Sequence, residues 1–99
     1  MKAYKSLVKY AIDKMGFFVS VFDTEDWAVI RSKKKSEIHE AIESVDECEL
    51  RFSNSEGHVV GAAYITLMVD DCETVANYAN PKNGEKWLDV WFEGMRNSQ

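Results

Sequence analysis

Apolar residues recur at helical spacing at Leu7, Val8, Ala11, Ile12 and Met15, with Lys5, Lys9, Asp13 and Lys14 between them. Gly16 supplies a C-terminal stop, so the pattern predicts a helix over residues 2 to 15. From Phe17 to Phe22 the chain turns aromatic and β-branched, and Trp27 to Arg31 resumes that character after Asp23-Thr24-Glu25-Asp26. Two strands joined by a polar turn follow from this pattern. Ile38, Ala41, Ile42 and Val45 form the apolar stripe of a second helix, with Glu37, Glu40, Glu43 and Glu47 opposite and Ser32 or Ser36 available as its cap.

Cys48, Leu50 and Phe52 alternate with Glu49, Arg51 and Ser53, which is the period of a strand with one wet face. Asn54-Ser55-Glu56-Gly57 reads as a turn, and His58 to Met68 as a longer strand. Both faces of that strand are largely apolar, Val59/Gly61/Ala63/Ile65/Leu67 on one side and Val60/Ala62/Tyr64/Met68 on the other. Residues 73 to 79 fit a helical turn and an extended chain equally. Asn80-Pro81 or Asn83 starts a last helix, whose apolar face is Trp87, Leu88, Trp91, Phe92 and Met95. The expected order is α-β-β-α-β-β-α: one α+β domain over residues 1 to 99, with a four-stranded antiparallel sheet and helices packed on one face.

Ninety-nine residues with 45% hydrophobic and 29% charged side chains fit a single core. The run Val59 to Val69 is far shorter than the roughly 20 residues that cross a bilayer, so no membrane span is expected. The first sixteen residues scatter lysines through any apolar stretch, unlike a secretory signal, and the expected location is the cytoplasm. Cys48 and Cys72 are then expected to be reduced and buried.

The net charge of −5 conceals a polarity. Residues 1 to 35 carry eight Lys/Arg against four Asp/Glu, whereas residues 36 to 99 carry four against thirteen. From Ser36 to Glu49 there are six acids and no Lys or Arg. This stretch projects a negative field, which disfavours direct binding of nucleic acid.

That charge directs attention to Glu37, Glu40, Glu43, Asp46, Glu47 and Glu49, an acidic stripe able to imitate phosphates in the basic groove of a nucleic-acid-binding protein. A merely solvated helix face has the same composition. Asp23, Glu25 and Asp26 beside Trp27 form a hairpin tip suited to docking on a partner, unless Trp27 folds back on the core. The tip is too sparse in oxygen ligands for calcium. His39, His58, Cys48 and Cys72 are zinc-ligand types without zinc spacing. Arg31 with Lys33, Lys34 and Lys35 is a basic patch or a hydrated helix entry, and the Trp87 to Met95 aromatics fit core packing or a dimer seam. No nucleophile, phosphate-binding loop or dinucleotide fingerprint is visible, so neither catalytic residues nor a cofactor or metal is expected.

The strings Ser20-Val21-Phe22-Asp23-Thr24-Glu25-Asp26-Trp27, Ala41 to Arg51 and Glu73-Thr74-Val75-Ala76-Asn77-Tyr78, followed by a Trp-rich tail, resemble small accessory proteins of tailed bacteriophages. That resemblance implies expression in a bacterial cytoplasm and a target among host proteins. It carries no assigned activity and no functional residue. The sequence therefore leads to a non-enzymatic binding protein, a modulator or inhibitor of a host protein or defence complex, acting through its acidic surface. Self-association into a homodimer, through the last helix or the Val60/Ala62/Tyr64/Met68 face, is the alternative. A small metal enzyme built on His39 and His58 is a third reading.

Overall fold

The computed structural model describes residues 2–82 and 84–97. Helix α1 (Ala3–Lys9) continues as a π-helical turn, Tyr10–Lys14, in which the Met15 amide donates to the Tyr10 carbonyl at 3.1 Å. Gly16 then reverses the chain at φ 73°, a left-handed conformation that glycine adopts without a Cβ clash. Strands β1 (Phe18–Phe22) and β2 (Trp27–Ser32) follow, then α2 (Lys35–Glu43), β3 (Glu47–Ser53), β4 (Val59–Thr66), a 3-10 turn at Asp71–Glu73, β5 (Val75–Ala79) and α3 (Trp87–Asn97).

The sheet is antiparallel, in the order β2-β1-β3-β4-β5. It has five strands where the sequence predicts four, because residues 75–79 are extended. The source of the ambiguity is a bulge. Ile65 pairs with Val75 but Tyr64 with Asn77, leaving Ala76 as an extra residue. Val75 and Tyr78, the two half-buried side chains, therefore stand three residues apart, a spacing that imitates a helix. A second bulge leaves Val60 as an extra residue within β4, so Val59 is exposed and Val60 packs on the core, the reverse of the predicted faces; β4 ends at Thr66, and Met68 lies past its end, 77% exposed.

All three helices cover one face. Tyr4, Leu7, Val8 and Ala11 of the first helical segment, Ile38 and Ile42 of α2, and Trp87, Leu88 and Trp91 of α3 form one core with Val19, Val21, Cys48, Leu50, Phe52, Ala63 and Ile65. Trp87 is its centre. The indole stacks on Tyr10, meets Phe17 and Phe52 edge-on, and donates Nε1–H to the Val60 carbonyl at 2.8 Å. Gly61 allows this close approach, since a Cβ there would lie 2.9 Å from Leu88 Cδ1. Asn80 accepts the Leu88 amide at 3.1 Å and so serves the start of α3; the other predicted start, Asn83, lies outside the described residues. Ser32 accepts the Lys34 amide at 3.0 Å, but α2 begins at Lys35 without a side-chain cap.

Candidate functional site

Register decides which charges meet. Phe22 at the end of β1 pairs with Glu49, Glu47 with Thr66 at the end of β4, and Ile65 with Val75 at the start of β5. The β1–β2 turn (23–26), the α2–β3 connection (44–46) and the β4–β5 connection (67–74) therefore emerge at one end of the sheet. They carry Asp23, Glu25, Asp26, Asp46, Asp70, Asp71 and Glu73, with no Lys or Arg. At the opposite end, connections 33–34 and 54–58 and residues 80–82 and 84–86 carry Lys33, Lys34, Lys82 and Lys86 against Glu56 and Glu85. The polarity along the strands cuts across the polarity of the sequence: Asp23, Glu25 and Asp26 come from the net-basic first 35 residues, and Lys82 and Lys86 from the net-acidic remainder.

The acidic end is built rigidly at its turn. Asp23 Oδ1 accepts the amides of Glu25 and Asp26 at 3.0 and 2.8 Å, bonds that lower the pKa of its carboxyl. Thr24 takes φ 83°, an uncommon conformation for a β-branched residue. Glu25 and Asp26 are exposed. Trp27 is neither a core residue nor a free knob: it lies on the open sheet face, 37% exposed, against Phe22 and beneath the Arg51 guanidinium at 5.3 Å.

The six acids of the predicted stripe do not form one surface. Glu37 and Glu40 are exposed on α2. Glu43 receives the Tyr4 phenol and faces Lys5 at 3.6 Å, and these partners lower its pKa. Asp46 is exposed at the acidic end, while Glu47 accepts the Tyr64 phenol and Glu49 pairs with Arg51 at 2.7 Å, both on the open sheet face. Asp70, Asp71 and Glu73 join the acidic end although they follow a separate strand, a grouping invisible without strand pairing. Lys2 and Lys5 near Glu43, and Arg96, which lines one hollow with Glu73, bring limited positive charge there.

The zinc-ligand types stay apart. Cys48 is buried at the start of β3, and burial, with the charge of Asp23 as a lesser cause, pushes its thiol up to about 11. Cys72 is exposed in the 3-10 turn, contrary to the expectation that both thiols are buried, because that turn leaves the sheet. His39 sits on α2, and His58 is exposed at the basic end, 3.7 Å from Glu56. Among the described residues no three His, Cys, Asp or Glu side chains are grouped to hold a metal, and no helix is long and apolar enough to cross a membrane. The basic run is also dispersed: Arg31 and Lys33 lie over the Phe18 ring, and Lys35 pairs with Asp13 at 2.6 Å. No protein-family model matches this sequence, and no curated protein or solved structure matches it.

Proposed function

We propose that this chain is a non-enzymatic binding protein, phage-encoded and made in the bacterial cytoplasm, that modulates a host protein by presenting its acidic end to a basic surface. The observation that supports this reading is the convergence of seven carboxylates from three separate connections with no Lys or Arg among them. Such a concentration of like charge is destabilising by self-repulsion, yet it raises the encounter rate with a positive partner. A host protein whose groove contacts nucleic acid offers the matching field. Glu37 and Glu40 extend the same sign along α2.

The test is affinity capture from nuclease-treated bacterial lysate with the tagged chain, at low and high salt, beside a Glu25→Lys/Asp46→Lys/Glu73→Lys variant. All three positions are exposed, so the fold is expected to persist. A host protein held at low salt, released at high salt and lost in the variant supports the reading. Capture that ignores the three reversals overturns it, as does the absence of any specific capture.

A further inference from the structure

With all helices on one side, the second face of the sheet meets solvent. Its side chains fall into rows. Val21, Leu50, Ala63 and Tyr78 pair across four strands and point toward the helices. Side chains alternate along each strand, so the flanking rows point outward. One is Phe22, Glu49, Tyr64 and Asn77; the other is Ser20, Arg51, Ala62 and Ala79.

Strand by strand, these rows are opposites: aromatic against small hydroxyl, acid against base, tyrosine against alanine, amide against alanine. Tyr64 is 38% exposed, and a shallow hollow of about 160 Å³ opens over Ala62, Asn77 and Ala79. On β2, Trp27 and the 70% exposed Ile30 continue the face on either side of core-facing Val29.

We propose that a second copy of this chain packs on the open face, related by a two-fold axis lying along the Val21 to Tyr78 row. Rotation about that axis reverses strand direction and lays each outward row on the partner's other row, as an isologous interface requires. Tyr64 enters the hollow over the partner's Ala62, and Phe22 lies against the partner's β1 at Ser20, whose hydroxyl is buried and accepts the Arg31 amide within its own chain. Glu49 meets the partner's Arg51. Because Glu49 and Arg51 already pair within one copy, the contact closes a ring of four alternating charges. The same rotation sets the acidic end of one copy beside the basic end of the other, so the acidic end is fully presented to a host surface only by the monomer.

Charge and size complementarity within one surface is what selects a second copy over any other occupant. Association through sheet edges is disfavoured, since both edge strands, β2 and β5, carry register shifts that interrupt a pairing edge. A five-stranded face roughly 20 Å across buries on the order of 1,000 Å² in total, small for a specific interface, so the dimer is concentration-dependent. This inference does not depend on the acidic-end reading, and its test uses purified protein with no partner.

Sedimentation equilibrium of the full chain over a wide concentration range should show the mass rising from 11.3 kDa toward twice that value. Ala62→Trp, which fills the hollow from a partly exposed position, should raise the dimer dissociation constant by on the order of a hundredfold. Glu49→Lys makes the central pair doubly positive and Arg51→Glu makes it doubly negative. Each variant alone should be monomeric, and an equimolar mixture should regain dimers. A wild-type monomer at every concentration overturns the proposal, as does a dimer indifferent to Ala62→Trp or a mixture that fails to associate.

Discussion

Tyr4 donates its phenol hydrogen to the Glu43 carboxylate, tying the first turn of α1 to the last turn of α2. The bond joins a fully buried ring to an acid that remains partly exposed. Burial, together with this bond, raises the Tyr4 pKa, so the phenol stays a donor across the ordinary pH range. Glu43 thus belongs partly to the fold, although its spacing on α2 marks it as surface. Tyr4→Phe keeps the packing and removes only the bond. It should cost about 1 kcal/mol, since the released carboxylate can rehydrate, and a urea denaturation midpoint checks this.

His39 lies edge-on to the same tyrosine, with ring centroids 5.9 Å apart, and its Nε2 is buried without a hydrogen-bond partner among the described residues. Burial lowers its pKa below the ordinary 6.5; Lys5 and Lys35 act in the same direction and Glu43 opposes them. The unfolded chain therefore takes up a proton at higher pH than the folded chain. The His39 contribution should be constant above 6.5, and stability should decline as pH falls below it, toward the folded value. Asp23 and Glu43, whose pKa values are lowered from 3.8 and 4.5, lose their contributions only at still lower pH. Thermal melts across this range should show the first decline in the wild type and its absence in His39→Gln. A decline unchanged in that variant would assign it to other groups.

The two cysteines should react as unlike groups. Cys48 is fully buried with a raised thiol pKa, whereas Cys72 is exposed. Thiolate fraction and access both govern reaction with a disulfide reagent. The native protein should release one equivalent quickly, from Cys72, and a second only on unfolding. Cys72→Ser should abolish the fast phase, read by absorbance of the released reagent.

Most of the secondary structure was legible because it depends on local pattern. Leu7 to Met15, Ile38 to Val45 and Trp87 to Met95 repeat at helical spacing, and Cys48 to Phe52 alternates as a strand must. β5 was not legible, since its bulge at Ala76 replaces the two-residue period with a three-residue one. The π-helical turn at Tyr10–Lys14 was hidden for a related reason: its apolar residues keep a spacing that an α-helix would also satisfy.

The candidate surfaces divide along the same line. Charge segregation, the acidic run from Glu37 to Glu49 and the polar turn at Asp23 to Asp26 are properties of the chain, fixed by which residues follow one another. Which acids share an end, and which side chains stand opposite one another across the open face, were decided only by tertiary structure. Asp23 and Asp71 lie forty-eight positions apart in sequence, yet the antiparallel pairing of β1, β3, β4 and β5 brings their connections to one end. Shifting that register by one residue would turn every outward side chain inward. Burial of Val21, Leu50 and Ala63 against the helices forbids the shift, and it thereby also sets Glu49 beside Tyr64 and Arg51 beside Ala62.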